Sequence, residues 1–143
     1  MKKERQSVHK FYIDLAKRIA TRGTCLRRKI GAVLVRDGII LATGYNGPPS
    51  GLQHCKTCYR KTNNIQSGTR LEFCRAVHAE ENVIIQCAIK QTNPEGAILY
   101  CTHSPCITCA KNLIQAKIKA IVYDKRKKVK QLLQNSSNEG FAN

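Results

Sequence analysis

The chain is expected to adopt an α/β fold, a mixed β-sheet covered by helices on both faces, and three features of the sequence predict it. Segments with the apolar period of helices alternate with short β-branched or apolar runs in the order α β β α β α β α. An Asp37-Gly38 pair separates the first two strand-like runs, as in a tight hairpin. The length, 143 residues, suits one domain with its own core, since domains of roughly 100–150 residues are the commonest size. A single domain over 1–143 follows.

Val8, Phe11, Tyr12, Leu15, Ala16 and Ile19 recur at three and four residues and predict a first helix with one buried face, stopped near Gly23. Ile30 to Val35 and Ile39 to Thr43 are β-branched runs and predict two strands, joined through Arg36-Asp37-Gly38. The segment 47–75 holds two adjacent prolines, several glycines and three cysteines. It is too long for a structureless loop in a compact domain, and cysteines on a metal would tie it down. Helical period returns from Ala76 to Lys90 in Val77, Val83, Ile84, Cys87 and Ala88, and Pro94-Glu95-Gly96 turns the chain into a short buried strand, Ala97 to Thr102. Pro105 suits the first turn of a helix reaching about Ala116, because its missing N–H is not needed there. Ile118 to Tyr123 predicts a further strand. Val129, Leu132 and Leu133 predict a weakly amphipathic helix in a basic tail, ahead of a polar, fraying Asn135 to Asn143.

The 42% hydrophobic and 24% charged fractions suit a soluble globular protein, and no apolar run approaches the roughly 20 residues of a bilayer span, so a membrane protein is excluded. The basic start at Met1 to Arg5 lacks the apolar region of a signal peptide after it, because Asp14, Lys17 and Arg18 interrupt Phe11 to Ala20; a cytoplasmic protein is expected. Eight cysteines in such a chain point to metal or catalytic thiols rather than disulfides. The 25 Lys and Arg against 9 Asp and Glu, net +16, favour an anionic partner: a nucleotide, a phosphate or a nucleic acid. Metal-bound thiolates would lower that charge, and abundant lysine also serves simply to solvate a surface.

Cys106-Ile107-Thr108-Cys109 offers two sulfurs on one face of the first turn of a helix, where the helix dipole favours thiolate. His78, expected in the first turn of the preceding helix, offers a third ligand. Zinc accepts nitrogen and sulfur in a tetrahedron, and a catalytic site uses three protein ligands and leaves the fourth corner to water, so these residues predict a catalytic Zn2+. Glu80 lies on a different bearing around the helix from His78 and is free to face that water. Zinc brings the pKa of its water towards ~7, and the resulting hydroxide can attack the carbon beside an exocyclic amine. Glu80 is placed to carry the water's proton to the ring nitrogen and then to the departing ammonia. His-x-Glu followed by Pro-Cys-x-x-Cys is the signature of zinc deaminases. Either half alone is weak, since Cys-x-x-Cys also builds structural zinc knuckles; the two together are specific.

The blocks Cys25 to Val35 (CLRRKIGAVLV), Gly44 to Gly51 (GYNGPPSG), Cys74 to Asn82 (CRAVHAEEN) and Tyr100 to Ala110 (YCTHSPCITCA) resemble those of bacterial and phage deoxycytidylate deaminases, including the competence-operon type. The resemblance covers most of Cys25 to Tyr123. It implies a three-layer α/β/α cytidine-deaminase-like fold with a mixed sheet of four to five strands, a homo-oligomer, and hydrolysis of dCMP to dUMP and ammonia. Carried over by position, it implies that Asn46 touches the sugar, that the Ala79 backbone N–H meets the pyrimidine carbonyl, and that the Ser104 main-chain carbonyl accepts from the exocyclic amine. Read alone, Asn46 in Asn-Gly-Pro-Pro is also a turn residue. Cys25, Cys55, Cys58 and Cys74 match positions at or near which the relatives carry cysteine, which implies a second, structural Zn2+ stapling the loop to the first strand and to the entrance of the catalytic helix. His54 is the substitute ligand, and reduced surface thiols are the alternative. Two departures stand out: Val83 replaces the usual alanine after Asn82, and Asn135 to Asn143 shows no convincing final strand.

Cys87 and Cys101 have no evident partners and read as buried packing thiols. Arg27, Arg28, Lys29, Arg70 and Arg75 are candidates for a substrate phosphate or for a solvated surface. The Lys125 to Lys130 cluster reads as a solvated helix face and is where a polynucleotide could lie. Free dCMP is the expected substrate, with dCTP a close variant. A polynucleotide deaminase acting on tRNA adenosine or single-stranded DNA cytosine is the alternative; the charge favours it, and the GYNG block and the cysteine-rich segment favour the nucleotide enzyme. A noncatalytic zinc module that binds nucleic acid is disfavoured, because a purely structural site has no need of Glu80.

Overall fold

The computed structural model describes residues 4–125 and 128–131. Helix α1 (Val8–Ala20) is capped by Ser7, whose hydroxyl accepts from the Lys10 N–H. Strands β1 (Gly31–Arg36) and β2 (Ile39–Tyr45) form the expected hairpin, in which Asp37 and Gly38 take φ of 52° and 73°, the double positive φ of a type I′ turn. Then come α2 (Tyr59–Thr62), a 3₁₀ turn (Leu71–Phe73), α3 (Ala79–Ile89), β3 (Ile98–Cys101), α4 (Ile107–Gln115), β4 (Ala120–Lys125) and β5 (Lys128–Gln131). The five strands make one mixed sheet in the order β2-β1-β3-β4-β5, with β3 and β4 parallel and the other neighbours antiparallel.

The period of two in the strands divides the apolar residues between two cores. Ala32, Leu34, Leu99 and Ile121 face α3 and α4, where they meet Val83 and Leu113; Val33, Val35, Tyr100 and Val122 face α1, where they meet Tyr12, Ile13 and Ala16. This is the three-layer α/β/α arrangement. Leu99 and Leu113 are fully buried, and each such side chain stabilises the fold by about 1.5–3 kcal/mol.

One expectation is corrected. Lys128–Gln131 is not helical but forms β5 against β4, supplying the edge strand that the sequence left open. The alternation of Val129 with lysines is compatible with either period, and the free edge of β4 decides it by offering a ladder of backbone donors and acceptors. Leu132, Leu133 and Asn135 to Asn143 lie outside the described residues. The segment 47–75 is not a bare loop: besides α2 and the 3₁₀ turn, Tyr59 stacks near Phe73 at 4.9 Å between ring centroids, with the Arg70 guanidinium over Phe73. Among the described residues no helix is long and apolar enough to cross a membrane.

Three contacts fix the start of α3 against the sheet. A side chain at Gly44 would strike the Ala79 carbonyl, so glycine lets the first turn lie directly on β2. Asn82 donates to the Tyr45 carbonyl at 2.8 Å. Gly47 and Val77 exchange a pair of backbone hydrogen bonds one residue before His78.

Candidate active site

His78 and Cys106 are the N-caps of α3 and α4, each just outside the first turn in which the sequence placed it, and Pro105 precedes the cap. The two helix starts are thereby brought face to face. Cys106 Sγ lies 3.5 Å and Cys109 Sγ 3.3 Å from His78 Nδ1, and the three ligand atoms fall within 4.8 Å of one another. Among the described residues no other set of three His, Cys, Asp or Glu side chains converges in this way. Glu81, not singled out from the sequence, accepts from the His78 N–H at 3.3 Å and holds its carboxylate 3.8 Å from Nδ1. Its position three residues after the cap is the capping-box position, which is the signal that points to it.

One imidazole nitrogen and two sulfurs suit zinc, and three protein ligands leave room for a reactive fourth position. The three groups of the trio divide their protons unequally. Cys106 is drawn down to about 4, first by the Cys109 thiol that donates to it and then by His78. Cys109 is pushed up by the same neighbour and by burial. His78 is raised to about 10 by Cys106 and then by Cys74.

Glu80 is 3% exposed, and burial pushes its carboxyl up. The Cys101 thiol donates to its Oε1 at 3.4 Å. Cys101 is thus more than a packing residue. Strand parity is the signal for it, because Cys101 shares the α3-facing side of β3 with Leu99.

Glu80, His78 and Cys106 line a cavity of about 280 Å³ that Asn46, Ser104 and His103 also border. Asn46 is buried, and its amide clamps the segment before β1: Oδ1 accepts from the Ile30 N–H and Nδ2 donates to the Arg28 carbonyl, both at 2.8 Å. Ala79 is fully buried as the first residue of α3. His103, also not foreseen, lies 2.8 Å through Nδ1 from the Thr102 hydroxyl, and burial and then Arg28 lower its pKa. Of the candidate arginines, Arg27 and Arg28 border the cavity, whereas Arg70 turns to Glu72 and Arg75 to the Gln53 carbonyl. Cys25, Cys55, Cys58 and Cys74 border one further cavity of about 300 Å³ together with His54. All four are part-buried free thiols, and no three of them converge as the catalytic trio does. Cys74 leans on His78, which lowers its pKa.

The family model for the cytidine and deoxycytidylate deaminase zinc-binding region matches residues 6–125. The chain belongs to this deaminase family. The deoxycytidylate deaminase of Schizosaccharomyces pombe is 37% identical over 121 residues, which cover 83% of this chain and 37% of that protein. This chain therefore spans less than half the length of the fungal relative. The deoxycytidylate deaminase of Mycobacterium phage D29 is 36% identical over 120 residues, covering 80% of this chain and 92% of the phage protein. The dCMP deaminase of cyanophage S-TIM5, solved in complex with dCMP and dUMP, superposes with a TM-score of 0.70 at 32% identity, covering 85% of this chain and 83% of that one. The family is defined by a zinc-binding region, and the His78, Cys106 and Cys109 trio is the candidate for it here.

Proposed function

We propose that this chain hydrolyses dCMP to dUMP and ammonia, with zinc held by His78, Cys106 and Cys109 and protons moved by Glu80. The observation that carries the reading is a carboxylate withdrawn from solvent in the same cavity as a converged His/Cys/Cys trio. Zinc bound there supplies Lewis acidity that brings the pKa of a water towards ~7. The remaining work falls to the protein. Glu80 takes a proton from water and delivers it to N3 of the ring as the water oxygen bonds to C4. It then takes the second proton of that oxygen and gives it to the amino nitrogen, the C4–N bond breaks, and C4 keeps the oxygen as a carbonyl. Burial holds the Glu80 carboxyl up, and a nearby cation would oppose that, two influences that suit a group that both accepts and donates. Asn46 against the sugar, the Ala79 N–H on the pyrimidine carbonyl and the Ser104 carbonyl on the amine complete the reading; Asn46 and Ser104 border the cavity, and Ala79 stands beside Glu80.

The reading extends to a second, structural zinc at Cys25, Cys55, Cys58 and Cys74, supported by the cavity that all four border. Their convergence would be coupled to arrival of the ion. It also extends to a homo-oligomer, whose formation would cover Ile39 and Ile40 of β2 and Ile85 and Ile89 of α3, all exposed. The deciding experiment is an ammonia-release screen of the zinc-loaded protein over dCMP, dCTP, CMP, deoxycytidine, single-stranded DNA and a tRNA anticodon stem. dCMP is expected to give the highest kcat/KM. Release from the tRNA but not from dCMP would overturn the reading.

A further inference from the structure

Two adjacent carboxylates accompany the His78, Cys106 and Cys109 trio, and they differ in what they face. Glu80 is buried and borders the catalytic cavity. Glu81, about 100° further round α3, is not among the residues that line that cavity, and its side chain is 34% exposed. Its Oε1 accepts from the His78 N–H at 3.3 Å and lies 3.8 Å from His78 Nδ1 and 4.0 Å from Cys109 Sγ. Two ligand atoms of the trio thus adjoin one oxygen of a partly exposed carboxylate.

The catalytic cavity disfavours the passage of a divalent cation. Arg27, Arg28 and Arg60 border it, and Glu80 is the one carboxylate among its described lining residues. Like charges repel at short range, most of all in a recess that holds water off, and a chain of net charge +16 adds to that repulsion. A carboxylate oxygen is itself a zinc ligand, and one that adjoins two further ligand atoms can hold an ion while it sheds its waters. We propose that Glu81 loads the metal centre: it takes zinc from solvent outside the substrate cavity and passes it to His78 and the two cysteines. The bond from the Glu81 oxygen breaks as those to Nδ1 and the sulfurs form, and any proton on these ligands passes to water. Glu81 acts in the exchange of the ion and not in the finished tetrahedron, so it lowers the barrier in both directions. The proposal rests on the trio being the zinc site of the proposed deaminase and assigns the route by which that site is filled and emptied.

The test follows zinc transfer between the full chain and a coloured chelator, in the parent and in Glu81→Gln. Gln keeps an acceptor at the capping-box position and removes the charge. Release starts from the zinc-loaded protein and uptake from the same protein after release. The phase that belongs to the trio is the one missing in Cys106→Ser, and loss and return of ammonia release from dCMP are timed beside it. Both rates are expected to fall about tenfold in Glu81→Gln, while Kd moves by less than either rate. Glu81→Asp keeps the charge on a shorter side chain and is expected to recover part of both rates; it carries the comparison should Glu81→Gln fail to fold. Faster release with unchanged uptake is the mark of a residue that only splints His78, and it would overturn the proposal. Unchanged rates, a change in one rate alone, or the lack of any phase that depends on Cys106 would overturn it too. If dCMP is not turned over, the deaminase reading fails by itself, and the chelator phases still judge Glu81.

Discussion

The two groups of cysteines in this chain share one motif and differ in scaffold. Cys106 and Cys109 stand at the start of α4, directly after the central strand β3, and meet a histidine at the start of α3, which Gly44, Asn82 and the Gly47–Val77 pair hold to the sheet. Cys55 and Cys58 have the same spacing but lie in irregular chain and at the cap of a four-residue helix, and Cys74 ends a 3₁₀ turn. The first group brings its ligand atoms within 4.8 Å of one another; the second borders a shared cavity. Spacing therefore supplies ligands, while the elements behind them decide how closely the ligands are brought together.

The largest effects are expected where the scaffold is rigid. Cys106→Ser should strip the catalytic zinc and reduce ammonia release to background, checked by metal analysis beside the assay. Glu80→Gln should keep zinc and fold and lose on the order of 10²–10⁴ in kcat. Normal turnover in that variant would remove Glu80 as the proton carrier and leave the trio as a mere binding site.

The same contrast explains what could be read from the sequence. The trio, Glu80 and the alternating elements were legible because each depends on local pattern: a motif at a helix start, an Asp-Gly turn, a period of two or 3.6. The pairing of Lys128–Gln131 with β4 was not, since a short stretch that mixes Val129 with lysines has no period of its own and takes its structure from a strand edge. Cys101 on Glu80 and the inward turn of Arg60 were also hidden, because each depends on tertiary packing, whereas Glu81 on His78 is a local contact that the capping-box spacing signals.

A smaller effect is expected from the second cysteine group. Cys55→Ser together with Cys58→Ser should lower the zinc content from about two per chain to about one, leave the catalytic ion in place and expose the 47–75 segment to protease. Turnover of dCMP should fall by about tenfold, because the same segment carries Arg60 into the catalytic cavity. A parent protein with one zinc per chain would instead leave these four cysteines as reduced thiols.

Proton release gives a subtler measure of how far the trio is prepared. At neutral pH, Cys106, drawn down to about 4, is already a thiolate, whereas His78, raised to about 10, and Cys109 hold their protons. Ligation needs neutral imidazole and both thiolates, so uptake of the catalytic zinc should release about two protons at pH 7. Affinity should fall as the pH is lowered. Calorimetry of the apoprotein in buffers of different ionisation enthalpy measures the number, and release of about one proton would mean that His78 or Cys109 is already prepared for the metal.

The smallest expected effect tests whether Glu80 is tuned as well as placed. Burial raises its pKa, and the Cys101 thiol opposes that by donating to the ionised carboxylate. Glu80 must be ionised to accept the water proton, so a higher pKa moves the acid limb of the kcat profile to higher pH. Cys101→Ala removes the donor and should shift that limb upwards; Cys101→Ser substitutes a stronger donor of similar size and should shift it downwards. Each shift should stay within about one pH unit, as expected for a single hydrogen bond worth about 1 kcal/mol. Movement of both variants in the same direction would point to altered packing on the inner face of β3, because repacking has no reason to reverse sign with the donor strength of the side chain.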